Sequence, residues 1–374
     1  MQNQFPVNNT LIYLNHAAVA PLPAISGQAI QGFVQEYVSR GASRYPSWLE
    51  TEHSLRSRLA SLIRCRDNDI ALLKNTSEAL SVVAHGFPWQ PGDVVVISDE
   101  EFPSNRIAWE SLKDRGVTVR EVSLGSAESA EQALLSALDS SVRMLAISSV
   151  EYASGIRLDL ARLGQACRDQ GIAFCVDAIQ GLGVFDHDVD AMHIDFLMAD
   201  GHKWLLGPEG LAVFYCKPEW RDRLTLHQFG WHMIEHHGDY NRKDWQPARS
   251  ARRFECGSPN MLGIYGLNAS LALILETGIK TIEQEVTRRS RHIMHRLNNS
   301  GLVELNTPTK EGEYAGIVNF RHRGVTNDVL FRHLGNNKVV CAQRGKGIRF
   351  SPHFHTPMER VDQAIDLVIN CKIT

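Results

Sequence analysis

The chain has 374 residues, 43% of them hydrophobic and 22% charged, with a formal net charge of −3 and a pI near 6.6. That length suits about two domains around a core that needs no disulfide or metal staple. Nothing in the charge balance calls for nucleic acid or an anionic membrane surface, both of which favour strongly basic patches.

The first residues, Met1 to Asn9, have neither a basic n-region nor an apolar h-region, so they do not read as a secretory signal. No apolar run approaches the ~20 residues that cross a bilayer. Cys65, Cys167, Cys175, Cys216, Cys256, Cys341 and Cys371 are scattered without metal-ligand spacing. They read as reduced thiols of a cytoplasmic protein that holds no metal. Cys175 and Cys216 lie in apolar runs and read as small core residues.

Taken in chain order, Lys74-Asn-Thr-Ser-Glu-Ala-Leu80 reads as a helix start, with a hydroxyl N-cap followed by glutamate. Amides at such a start form an anion site, which makes Thr76 and Ser77 candidate phosphate ligands. Asp93 to Ser98 predicts a buried strand. Ser129 to Leu138 predicts a helix, with Ser129 as N-cap and Gln132 completing a capping box. Val142 to Ser148 is the next strand. Asp159 to Gln170 is a helix stopped by Gly171. Ala173 to Asp177, Asp195 to Asp200 and Gly210 to Cys216 are further strands. Continuous rather than alternating apolar runs fit strands covered on both faces. The βαβ order predicts an α/β fold with a doubly wound, mostly parallel sheet. Ligands in such sheets bind beyond the carboxyl ends of the strands.

After residue 260 the pattern changes. A long helical region, Leu262 to Asn299, leads to strand-like Ala315 to Phe320 and a final amphipathic helix, Met358 to Asn370. The expected division is an N-terminal segment (1–20) lining the active site, a large cofactor-binding domain (21–260) and a smaller α+β domain (261–374).

Two of the strands end in chemistry. One ends in Asp177-Ala-Ile-Gln180 and the next in Asp200-Gly-His-Lys203. Pyridoxal 5'-phosphate (PLP) enzymes need this pair. A lysine amine forms the Schiff base, and a carboxylate keeps the pyridine nitrogen protonated so that the ring accepts electrons. The bland alternative is a capping aspartate and a solvated lysine. Other pieces favour the cofactor. Phe102, in Glu-Phe-Pro-Ser-Asn105, stands where an aromatic could stack on a flat ring. Arg349, in Gly345-Lys-Gly-Ile-Arg-Phe-Ser-Pro-His353, is a candidate bidentate clamp for a substrate carboxylate.

These segments, from Tyr13-Leu-Asn-His-Ala-Ala to Arg349-Phe-Ser-Pro-His, resemble the class V aminotransferase group of fold-type I PLP enzymes. That group includes cysteine desulfurases, kynureninases, isopenicillin-N-epimerase-like proteins and C–S lyases. The resemblance implies roles residue by residue. Lys203 is the Schiff-base lysine, Asp177 the pyridinium partner, Gln180 the ligand of the ring hydroxyl oxygen, and His202 a phosphate contact. Thr76 and Ser77 are the phosphate pair, and Phe102 the stacking aromatic. Ser258, in Arg253-Phe-Glu-Cys-Gly-Ser-Pro-Asn260, reaches the phosphate of a neighbouring subunit, which implies a homodimer with shared active sites. Arg349 binds the substrate carboxylate, and Asn15, His16 and Ala17 line its pocket.

Two departures bear on the reaction. Asp200 replaces a serine of the desulfurase motif and is not expected to touch phosphate, because two anions repel. The desulfurase catalytic-cysteine loop is missing, and Cys341 lies in a strand-like position instead. The reading is therefore a Cβ or Cγ lyase of a small amino acid, with a C–S bond among those it would cleave. The alternatives are a desulfurase using Cys341 or Cys256, an aminotransferase or epimerase, and a binding protein that has lost catalysis. The stretch carrying His227, Trp231, His232, His236, His237 and Tyr240 reads equally as pocket lining or surface loop.

Overall fold

The computed structural model describes residues 2–372. In chain order its first elements are α1 (Val7–Thr10), β1 (Ile12–Tyr13), α2 (Ala24–Arg40) and α3 (Tyr45–Ile63). The central strands are β2 (Ile70–Leu73), β3 (Val94–Ser98), β4 (Thr118–Val122), β5 (Val142–Ser148), β6 (Ala173–Asp177), β7 (Phe196–Asp200) and β8 (Ala212–Cys216). Between and after them come α4 (Thr76–Gly86), α5 (Pro103–Glu110), α6 (Ala130–Ser136), α7 (Leu160–Gln170) and α8 (Pro218–Arg221). The rest comprises α9 (Met261–Thr277), α10 (Ile279–Asn299), β9 (Val303–Leu305), β10 (Val318–His322), α11 (Asn327–Asn336), β11 (Val339–Val340), β12 (Ala342–Arg344), β13 (Gly347–Phe350) and α12 (Met358–Ile369).

The main sheet has seven strands in the order β2-β8-β7-β6-β5-β3-β4. Only β8 runs against the rest, pairing antiparallel with β2 and β7. Its apolar runs are continuous because both faces are covered. Val94, Val96, Leu145, Ile147, Phe174 and Val176 point into one core. Their neighbours Val95, Ile97, Met144, Ala146, Ala173 and Cys175 point into another. This is the two-residue alternation of a strand, and each such side chain contributes about 1.5–3 kcal/mol on burial. The expected fold class is present, with β2 and β4 as additional strands. Asp159 caps α7 through Arg162 N at 3.1 Å, and Gly171 ends it with φ +68°.

Three local expectations need correction. The N-cap of α4 is Asn75, whose side chain accepts from Glu78 N at 2.8 Å, so Thr76 is the first helical residue. The Ser129 cap does accept from Gln132 N, but the Gln132 amide donates to Ser136 Oγ at 3.3 Å, so the capping box is not closed. The long helical region is two helices, α9 and α10, bent by 85° at Gly278, whose φ of +84° breaks the helix.

The second sheet is antiparallel, in the order β12-β13-β10-β9, and carries its own core with α11 and α12. The expected boundary at 260/261 does not coincide with the change of core. Helix α9 packs on α2 and α3, and its Ile264, Leu267 and Leu271 join the main-sheet core. The changeover falls within α10, between Val286 and Ile293. Strand β1 pairs in parallel with β11, so the N-terminal segment is laced onto this second layer before it crosses to the main sheet. Among the described residues no single helix is long and apolar enough to cross a membrane.

Candidate active site

Strands β5, β6 and β7 end side by side, and their C-terminal turns carry Tyr152, Asp177 and Lys203. Lys203 follows β7 in a tight loop closed by Leu206 N on Lys203 O at 3.1 Å and Gly207 N on Gly201 O at 2.7 Å. Leu206 takes φ +58°, a strained conformation for a branched side chain that tertiary packing must enforce. Burial pushes the Lys203 amine down to about 8 against the pull of Asp177, and Arg349 adds to the depression. The amine lies 5.6 Å from the centroid of the Phe102 ring. Phe102 stands edge-to-face with Tyr152 at 5.2 Å.

Burial pushes the Asp177 carboxyl up to about 7, opposed by the Ile179 amide, which it accepts at 3.0 Å, and by Lys203. Gln180 is anchored from both ends. Its Nε2 donates to Ala17 O at 3.0 Å, and its Oε1 accepts from Trp204 Nε1 at 2.9 Å. One amide hydrogen remains for a ligand.

The N-terminus of α4 faces the end of β7. Asp200 Oδ2 accepts from Thr76 N at 3.1 Å, so Asp200 takes one of the helix-start amides. The departure noted in the sequence is thereby accounted for: Asp200 binds a backbone donor. Thr76 Oγ1, Asp200 Oδ1 and His202 Nδ1 are buried there without partners, with the last two 3.9 Å apart. Ser77 hydrogen-bonds Ser104 at 2.8 Å.

Arg349, on β13, lies opposite Asn319 of β10. It is 2% exposed, donates from Nη1 to Tyr152 O at 2.7 Å, and leaves Nε without a partner. Among the described residues no carboxylate lies within 4.0 Å of its nitrogens. Burial pulls the guanidinium down to about 10.

The remaining expected residues are placed less directly. Asn15 bridges Ser351, and Ala17 N donates to Ser351 Oγ at 3.0 Å. His16 is fully buried, with Nδ1 on Ser351 O at 2.9 Å and Nε2 on His355 at 3.1 Å. Both its nitrogens are engaged, so it ties the segment to the loop after β13. Ser258 is exposed, in a groove of about 490 Å³ shared with Lys74, Glu78 and Cys256 and not with Lys203. The histidine-rich stretch is dispersed. His227 bonds His85 O at 2.8 Å, while His232 is buried beside Glu52 and Glu255. Arg56 bridges those two carboxylates at 2.6 Å, which makes the group an ion cluster.

Tyr152 and Trp204 were not singled out from the sequence. The signal for Tyr152 was its place just after the β5 run, where ligands of such sheets bind.

A profile of the aminotransferase class-V family matches residues 12–360. A probable cysteine desulfurase of Methanothermobacter thermautotrophicus is 26% identical over 92% of this chain and 86% of its own. A cysteine desulfurase of Dickeya dadantii is 31% identical over 73% and 68%. The solved cystine C–S lyase C-DES, in complex with its product cysteine persulfide, superposes with a TM-score of 0.91 at 22% identity, covering 99% of this chain and all of that one (100%). The chain belongs to the class-V aminotransferase family, a group of PLP-dependent enzymes. The donor set fits that cofactor: an amine of depressed basicity, a buried carboxylate, an adjacent aromatic face, and the unpartnered Thr76 Oγ1 and His202 Nδ1 at a helix N-terminus.

Proposed function

We propose that the enzyme is a C–S lyase that acts at Cα of a small amino acid and expels a group from Cβ or Cγ. PLP, when bound, supplies the electron sink for the Cα carbanion. In this reading Asp177 and Gln180 hold the ring, Phe102 covers it, and Thr76, Ser77 and His202 hold the phosphate. Arg349 binds the substrate carboxylate, which becomes the counter-ion the guanidinium lacks. Lys203, part neutral near pH 8, takes the Cα proton and returns it to the leaving atom or product. Asn15 and Ala17 close the pocket from the N-terminal segment.

The carrying observation is that, among the described residues, five of the seven thiols are buried, and the half-buried Cys65 and Cys256 lie outside the groups gathered around Lys203. A desulfurase needs a thiolate to accept sulfur. Cys341 is buried in the second core, and its thiol is pushed up to about 12. Cys175, near Asp177, is fully buried and pushed well above the usual thiol range. Cys256 is half-buried in the groove with Ser258.

The desulfurase names of the curated relatives favour the second reading, and one assay separates the two. Incubation with L-cystine and L-cysteine should give pyruvate and ammonia. Alanine with enzyme-bound sulfur would overturn the lyase reading.

The enzyme is further proposed to work as a homodimer in which Ser258 meets the neighbouring subunit's phosphate. Phe229, Tyr240 and Trp245 support this, since they are 62%, 78% and 54% exposed, an unusual load of aromatic surface for a monomer. Seven unpaired cysteines fit the reducing cytoplasm.

A further inference from the structure

Behind the aromatic pair Phe102 and Tyr152 lie two buried carboxyl groups that the reaction does not use. Glu101 precedes Phe102 at the end of β3, and Glu151 precedes Tyr152 at the end of β5. Both are shielded from solvent, Glu151 completely. Glu101 is well supplied with donors: Ser148 N at 2.7 Å, Ser148 Oγ at 2.6 Å and Asn105 Nδ2 at 2.8 Å. Glu151 has only Ser98 Oγ, 2.6 Å from its Oε1, and its Oε2 has no partner. The same Ser98 Oγ lies 3.4 Å from Glu101 Oε1.

Two like charges joined through one hydroxyl and cut off from water repel strongly, so the pair holds one proton. Donor count decides where. Three donors stabilise the anion on Glu101, and none besides Ser98 would stabilise it on Glu151. The hydrogen bonds then run from Glu151 Oε1–H to Ser98 Oγ, and from Ser98 Oγ–H to Glu101 Oε1. The surroundings add only negative charge. Asp99 and Glu100, from the same turn as Glu101, face Glu151, and Asp177, from the end of β6, faces Glu101. The nearby cations act on other carboxyls, the charge of Lys346 on Glu100 and that of Lys203 on Asp177. Burial and these neighbours push the Glu151 carboxyl well above the usual range.

We infer that Glu151 is a neutral carboxylic acid bridged through Ser98 to an ionised Glu101, and that this latch fixes the loops presenting Phe102 and Tyr152 to the active site. Both are positioning residues. Loss of the shared proton at alkaline pH sets two anions against each other and spreads the loops. Phe102 then leaves the cofactor face, and the Tyr152 carbonyl releases Arg349. The inference rests on the roles proposed above for Phe102 and Arg349.

The test compares wild type with Glu151→Gln, which keeps the shape and has no proton to lose, and with Glu151→Met as an apolar second variant. Unfolding equilibria of the full chain and pyridoxal-phosphate dissociation constants are measured at pH 6 and pH 9. The variants' folding constants should gain on wild type with rising pH, by up to about tenfold per pH unit while the wild type retains its proton. The wild-type dissociation constant should rise several-fold more than theirs. Parallel unfolding profiles would overturn the shared proton. A gain in folding with parallel dissociation constants would overturn the link to the site. If wild type took up no cofactor at either pH, the function would fall, and the unfolding measurement would still decide the proton.

Discussion

Arg349 is buried with a single backbone acceptor and, among the described residues, no anionic partner. Keeping a guanidinium uncompensated in such a place is costly, so the site is stabilised by whatever anion completes it. Substrate carboxylate is that anion in the proposed reaction, and a hydrogen bond to a charged group contributes about 1.5–3 kcal/mol. Arg349→Ala is therefore expected to raise KM for the amino acid by about 10- to 150-fold, with a smaller change in kcat, read by steady-state kinetics. An unchanged KM would remove Arg349 from the site. The positions of Lys203, Asp177 and Arg349 in the fold were legible because each follows or lies within an apolar run, and strand ends face ligands in this architecture. The partners of Asp200 and His16 were not. Asp200 meets Thr76 and His16 meets His355 across long stretches of chain, and no local pattern encodes such a meeting.

Helix α4 shows the same division one level up. Its existence was written in Thr76-Ser-Glu-Ala-Leu, but its first residue depended on which of three neighbouring cap formers turned out of the helix. Asn75 did, with an extended backbone and its side chain on Glu78 N, while Glu78 Oε2 accepts from Lys74 N at 2.6 Å. Asn75→Ala removes one cap bond and should cost about 1 kcal/mol. Because α4 also presents the amides and hydroxyls proposed for the phosphate, its fraying should weaken cofactor binding as well. Denaturant unfolding together with a cofactor titration would show both, and a loss of stability alone would separate the cap from the site. The break between α9 and α10 was hidden for a different reason. Apolar spacing continues through Gly278 and masks the stop that the glycine makes, where the chain turns by 85°.

At the scale of the molecule, the N-terminal segment joins the second sheet to the main sheet through a cluster of imidazoles. His16 bonds His355, His353 Nε2 donates to Trp204 O at 3.2 Å, and Phe5 stacks on His355 at 3.4 Å. Burial pushes His16 down to about 4, and His353 and His355 well below their usual value. The unfolded chain therefore takes up protons below about pH 6.5 that the folded chain refuses. The stability this cluster supports is full above that pH and is lost as pH falls toward the folded values. The buried carboxyls Asp177 and Glu151 act in the opposite sense, because their raised values make the folded chain the better proton binder in the same range. The wild-type stability curve mixes the two, so the informative quantity is a difference. His355→Gln should lose packing against Phe5 at pH 7.5 and recover about 2 kcal/mol relative to wild type at pH 5, since each refused proton counts about 1.4 kcal/mol per pH unit. Urea unfolding of both proteins at the two pH values measures it. A difference that stayed constant would mean that His355 titrates in the folded protein as it does in the unfolded chain, and that acid does not act on the molecule through the segment that ties its two sheets together.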